Sequence, residues 1–270
     1  MGSCATTTKL HVAAWHPHFG EEPPISGVRG SGTVFLANCN LRCVYCQNWD
    51  ISQLPRNFLH HTMGPSELAE AMLDLQALGC HNINWVSPTH QLPQLVEALL
   101  EAAERGLSIP IVYNTNAYDS VEALALLEGV VDIYMPDLKY ADPEAGSRYS
   151  RVPDYPQAAR AALVEMFRQV GEEWVTDAAG VLRRGLLVRL LVLPNGLAGV
   201  EESLAWMAQH LSPRVTVSLL SQYRPCHWVE RGRFPELARR ITLAEYQRAL
   251  AALDRHNRSE HTYVQPFFAF

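Results

Sequence analysis

The sequence lacks any uninterrupted apolar run near the roughly 18 residues that a bilayer-spanning helix needs. Its most apolar stretch, 186–193, is broken by Arg189. It also lacks a basic excess, since 22 lysines and arginines face 28 aspartates and glutamates for a net charge of −6. No basic run offsets that balance, which excludes the footprint of a non-specific nucleic-acid or anionic-membrane binder. Residues 1–8 have neither the basic start nor the apolar centre of a secretory signal. Their Met1-Gly2-x-x-x-Thr6 fit to a myristoylation pattern arises easily by chance in a Gly-, Ser-, Ala- and Thr-rich start. A cytoplasmic location is the expectation. Six cysteines in 270 residues are too sparse for a disulfide framework, so reduced thiols are expected. There is no internal repeat, low-complexity tract or charged tail. With 48% hydrophobic and 19% charged residues, the chain has ordinary globular composition and enough apolar surface for a core.

What is present is an alternation of strand and helix signals. Residues 33–37, 83–86, 109–113, 130–135, 186–193 and 215–220 read as short buried strands. Between them, Leu68, Met72, Leu75 and Leu78 mark a helix over 65–78, and further helices are expected over 92–105, 156–170, 200–211 and 242–256. A short helix through Leu127 opens with a capping box at Asp119 and Glu122, and the last helix with one at Thr242 and Glu245. Residues 174–183 read as a small hairpin. Six strands joined mostly by helices define one α/β domain with a parallel sheet, either an incomplete barrel or a doubly wound sheet. The expected organisation is an irregular segment over 1–28, a core domain over 29–256 and a tail over 257–270.

Three of the six cysteines cluster as Cys39-x-x-x-Cys43-x-x-Cys46, just after the first strand and at its C-terminal end, where α/β proteins place their ligands. Three thiolates on a tight loop can each hold one iron of a cubane cluster and leave the fourth iron open to an exogenous ligand. Zinc is the competing metal, but a structural zinc site takes four ligands, commonly in two pairs, and no second pair exists. The alternative function is therefore a metal-binding or electron-transfer module, iron–sulfur or zinc, without further chemistry. His60 and His61 either supply a fourth ligand or lie in solvent. Gly27, Gly30 and Gly32 precede a strand instead of joining a strand to a helix, which rejects a phosphate loop and favours close backbone approach beneath the cysteine loop.

The stretch Asn38-Cys39-Asn40-Leu41-Arg42-Cys43-Val44-Tyr45-Cys46-Gln47-Asn48 resembles the cluster loop of radical S-adenosylmethionine enzymes, and looks most like that of pyruvate formate-lyase activating enzyme. The likeness runs from about His18 to Tyr223. It implies a partial (β/α)6 barrel carrying one 4Fe-4S cluster on Cys39, Cys43 and Cys46. It also implies that S-adenosylmethionine is bound at the open iron and split reductively to a 5′-deoxyadenosyl radical. That radical takes hydrogen from a substrate carbon, glycine in a partner polypeptide being one candidate. An electron donor such as flavodoxin or ferredoxin is implied as a partner, and the substrate is either a polypeptide or a small metabolite. Residues 21–25 and 222–234 are the candidate segments for gripping it.

The resemblance also suggests the cofactor contacts. Tyr45 lies in the loop. Where many relatives have Gly-Gly-Glu, this chain has Ser87-Pro88-Thr89-His90, so Thr89 or a backbone carbonyl must serve the amino group. His90 is either a contact or a helix cap. Asn114, Thr115 and Asn116, with Asp137 and Lys139, match positions that cradle ribose, carboxylate and a monovalent cation; otherwise Asp137 and Lys139 form a simple ion pair. Arg189, inside an apolar strand, needs a carboxylate partner or a ligand. Tyr223 either meets adenine or packs at the barrel mouth.

Overall fold

The computed structural model describes residues 4, 6–53 and 61–267. Met1, Gly2 and His60 lie outside the described residues. The chain opens with β1 (Leu10–His18) and α1 (Pro23–Ser26), followed by β2 (Ser31–Leu36). Within the segment expected to be irregular, residues 10–18 thus form a strand and residues 23–26 a short helix. β1 pairs antiparallel with β2, a pairing that the strand–helix alternation cannot reveal, and Pro17 near its end weakened the strand signal. The cysteine loop leads to α2 (Trp49–Ser52), β3 (His61–Met63) and α3 (Pro65–Ala77). His61 lies on β3, with its ring edge-on to Trp15.

The barrel continues with β4 (Ile83–Val86), α4 (Leu92–Glu104), β5 (Ile111–Thr115), α5 (Val121–Ala125) and β6 (Ile133–Pro136). Two helices follow, α6 (Pro143–Ser150) and α7 (Tyr155–Val170). The expected hairpin is β7 (Val175–Thr176) turning into the long strand β8 (Leu182–Leu191). Then come α8 (Val200–His210), β9 (Thr216–Leu220), α9 (Leu243–His256) and β10 (Tyr263–Val264). β10 pairs parallel with β9, so residues 263–264 of the expected tail add an edge to the sheet. Sequence periodicity missed α6, a short polar helix containing Gly146, although Asp142 caps its N-terminus and Pro143 opens it.

The sheet runs β10-β9-β8-β6-β5-β4-β2-β1-β3, and its central neighbours from β2 to β9 are parallel. Hydrogen bonds do not close it, so the expected partial (β/α)6 barrel is open-sided. Strand alternation divides the residues between two faces. Val34, Trp85, Tyr113 and Tyr134 stand level on the outer face and pack in one core with Leu68, Met72, Leu95, Leu163 and Met166 of the helices. On the inner face, Val112, Ile133, Met135, Leu182 and Leu187 form a separate apolar cluster with Ile25 of α1. Helix α1 therefore plugs the end of the barrel where the strands begin. Close approach there requires Gly32, whose added Cβ would lie 2.7 Å from the Asn82 carbonyl oxygen. The glycine stretch thus tightens the β2–β4 contact at the barrel base and does not underlie the cysteine loop.

Candidate functional site

The cysteine loop is held at the opposite end of the barrel by its own backbone. The Asn38 amide donates to Ile51, the Val44 amide to Tyr149, and the Trp228 amide to the Val44 carbonyl. Each clustered thiol meets a polar side chain. Ser150 on α6 donates to Cys43 Sγ at 3.0 Å, and its hydroxyl lies 2.8 Å from that of buried Tyr140. Asn116 Nδ2 and the Leu41 amide both reach Cys39 Sγ at 3.4 Å, and Ser52 Oγ lies 3.3 Å from Cys46 Sγ. Burial pushes the Cys43 thiol up to about 12 and also raises Cys39, so a cationic centre must compensate before these sulfurs carry charge. Lys139 acts in that direction on both.

This donor set fits an iron–sulfur cluster. A cubane spreads three cysteine sulfurs over three irons, and hydrogen bonds onto those sulfurs are the usual means by which a protein tunes it. Among the described residues, no group of three or more His, Cys, Asp or Glu side chains is placed to hold a single metal ion.

Toward the same end, the barrel interior turns from apolar to charged. Arg189 of β8 donates through Nε to Asp137 Oδ1 at 2.7 Å, through Nη1 to Glu21 Oε2 at 2.9 Å and through Nη2 to Asn114 Oδ1 at 2.5 Å. Asn84 and Asn114 donate to the other Glu21 oxygen, and Lys139 Nζ lies 2.9 Å from Asp137 Oδ2. Burial alone would raise the Asp137 carboxyl; Arg189 and Lys139 outweigh it and hold the group below the usual carboxylate range. Desolvation likewise opposes the charge on Lys139, and Asp137 overcomes it, so the ammonium is retained. Both alternatives raised for Arg189 converge, because its carboxylate partners lie at the candidate site itself. Asn114 Oδ1 and Asp137 Oδ1 thus accept from the Arg189 guanidinium, and Asp137 Oδ2 from Lys139.

A second polar group surrounds Asp119, which is buried and raised by desolvation against three hydrogen bonds. Thr89 and Tyr113 donate to its Oδ1 at 2.6 and 2.9 Å, and Thr115 to its Oδ2 at 2.6 Å. Asp119 is therefore not the helix cap that the sequence suggested. Ser120 accepts from the Ala123 amide and caps α5 in its place.

The tyrosines pack rather than line open space. Tyr45 sits edge-on between Tyr140 and Tyr223, and the Tyr223 hydroxyl donates to the Leu237 carbonyl at 2.8 Å. His90 is 2.9 Å from the Ala37 carbonyl at the end of β2, so it ties down that strand end instead of capping a helix. Asn116 meets Cys39 and Asn40. Sequence reasoning did not find Glu21 as an interior residue, nor Asp119, Asn84 or Ser150. Glu21 was assigned to a substrate-gripping segment, whereas its side chain is only 10% exposed inside the barrel. The unpaired charge of Arg189 was the signal that a carboxylate had to arrive from elsewhere.

An open-sided parallel barrel with three cysteines after its first parallel strand defines the class, and the chain belongs to the radical SAM superfamily, which matches residues 33–184. It is similar to an uncharacterized protein of Methanocaldococcus jannaschii, 31% identical over 246 residues, a match covering 89% of this chain and 66% of that protein. Its fold resembles that of HydG, a maturase of the FeFe-hydrogenase, with TM-score 0.56 and 13% identity over 84% of this chain and 48% of the other. Methylornithine synthase gives TM-score 0.52 and 13% identity over 85% of this chain and 69% of its own. The chain thus spans about half of HydG and just under two thirds of the Methanocaldococcus protein. Superfamily membership implies a 4Fe-4S cluster and S-adenosylmethionine as cofactors. No helix among the described residues is long and apolar enough to cross a membrane.

Proposed function

We propose that the protein is a radical S-adenosylmethionine enzyme in which Cys39, Cys43 and Cys46 hold one 4Fe-4S cluster and a substrate carbon gives up a hydrogen atom. When bound, the cluster supplies the electron that splits the sulfonium into methionine and a 5′-deoxyadenosyl radical. The observation that carries this reading is the convergence of one polar side chain on each clustered thiol beside a charged barrel interior.

The chain's own residues supply binding and orientation. Lys139, held by Asp137, presents an ammonium suited to the methionyl carboxylate. Thr89 and Thr115 spend their hydroxyl protons on Asp119, so each oxygen offers only lone pairs, as an acceptor for the methionyl ammonium must. That supports Thr89, over a backbone carbonyl, as the group serving the methionyl ammonium where many relatives have Gly-Gly-Glu. Arg189 fixes Asp137 and Asn114 and balances Glu21, and Asn116 supports Cys39. Tyr45 and Tyr223 form the packed wall behind the loop. The substrate is a separate molecule, either a glycine-bearing polypeptide, as for the activating enzymes that the loop resembles, or a small metabolite. A one-electron donor protein supplies the cluster.

The test is anaerobic incubation of reduced enzyme with S-adenosylmethionine and fractions of deuterium-labelled cells. Label reaching 5′-deoxyadenosine from a glycine-labelled protein supports activase function. Transfer from a low-molecular-weight fraction alone assigns a metabolite substrate.

A further inference from the structure

Residues 224–240 carry Arg224, Arg231, Arg233, Arg239 and Arg240 against only Glu230 and Glu236, in a chain whose net charge is −6. Arg239 is committed to Glu245, and Glu236 to Arg148. Arg224, Arg231 and Arg233 are exposed and make no ion pair among the described residues. Two of them flank a single ring, with the Arg231 guanidinium 4.6 Å and that of Arg233 4.4 Å from the centre of Trp228. The same segment lies directly on the cysteine loop. The Trp228 amide donates to Val44 at 3.0 Å, and Cys226 Sγ donates to the carbonyls of Tyr45 at 3.0 Å and Cys46 at 3.3 Å.

We propose that this arginine-flanked Trp228 surface is the docking site of an acidic electron-donor protein. The inference rests on the reading of the cysteine loop as a cluster site, and it reassigns residues 222–234 from substrate gripping to donor recognition. Unpaired exposed arginines cost an acidic partner little to engage, and they steer its approach. Because the rest of the chain is acidic, such a partner is repelled elsewhere and oriented toward this face. Trp228 holds both guanidiniums on this face through cation–π contact. From Trp228, one amide hydrogen bond reaches the loop between Cys43 and Cys46. In the transfer, one electron leaves the donor, which is oxidised by one, and enters the cluster, which is reduced by one. No bond forms or breaks.

Anaerobically reconstituted enzyme is mixed with reduced flavodoxin, an acidic flavoprotein, and cluster bleaching is followed by stopped flow. The wild-type rate should fall steeply as salt rises from about 0.02 to 0.5 M, across which charge steering is screened. The double variant Arg231→Glu, Arg233→Glu should be slowed at least tenfold at low salt, converge on wild type at high salt, and be reduced by dithionite as fast as wild type. A salt-independent wild-type rate, or an unchanged rate in the variant, overturns the proposal. The salt series needs no variant, so poor folding of the double variant leaves the proposal open to refutation. Wild-type protein that binds no iron–sulfur cluster would instead defeat the reading on which the proposal rests.

Discussion

The two ends of the barrel interior are built by the same strands, two residues apart, and they differ completely in chemistry. On β5 the inner face passes from Val112 to Asn114, on β6 and its continuation from Ile133 and Met135 to Asp137, and on β8 from Leu187 to Arg189. The first member of each series is sealed under Ile25 of α1, and the last joins a network of Glu21, Asn114, Asp137, Lys139 and Arg189. Strand geometry permits this abrupt change because every second residue meets the interior. One end is thereby apolar and the other charged. The two ends should respond differently to substitution.

The largest stability effect is expected at the charged end. Arg189→Met leaves Glu21 without its cation and Asp137 with Lys139 alone, and breaking a buried pair in this way costs about 3–5 kcal/mol. Adding Glu21→Gln should recover part of the loss in denaturant unfolding, and an absence of recovery would show that the pair is not coupled. At the apolar end, Ile133→Ala should cost about 2–5 kcal/mol through lost burial and a residual cavity. It should leave S-adenosylmethionine affinity and iron content of the folded protein unchanged, and a drop in affinity would erase the division between the two ends. Lys139→Ala should reverse that pattern. Loss of a charge-assisted contact worth about 1.5–3 kcal/mol predicts roughly 10- to 100-fold weaker S-adenosylmethionine binding by titration, with the cluster intact.

A smaller effect is expected outside the barrel. Hydrogen bonds from Arg239 hold the Glu245 carboxyl well below its ordinary value of 4.5, with the Thr242 and Asn195 amides acting in the same direction. A folded value below the unfolded one gives stability that is present above 4.5 and is lost as pH falls through the folded value. Glu245→Gln should therefore flatten the acid limb of a melting-temperature profile without altering cofactor affinity.

This division also decides what the sequence disclosed. The strand β4 lies where its apolar run places it, and Asp137, Lys139 and Arg189 stand out because charge at a strand end or inside an apolar strand demands a partner. Glu21 was hidden because it enters from a segment distant in sequence and pairs across 168 positions with Arg189. Asp119 was misassigned because its local spacing to Glu122 satisfies a capping pattern, whereas tertiary burial gives it to Thr89, Tyr113 and Thr115. The strands β1 and β10 were missed because one pairs antiparallel outside the repeating unit and the other spans two residues at the sheet edge.

The most direct test of the account is chemical. Wild-type protein and Cys43→Ser are reconstituted anaerobically with iron and sulfide, reduced with dithionite and given S-adenosylmethionine, and both bound iron and released 5′-deoxyadenosine are measured. The account predicts about four irons per chain and 5′-deoxyadenosine with equimolar methionine from the wild type, and loss of both cluster absorbance and product in the variant. Full iron content and unchanged product in Cys43→Ser, or a wild-type cluster that never yields 5′-deoxyadenosine, would contradict it.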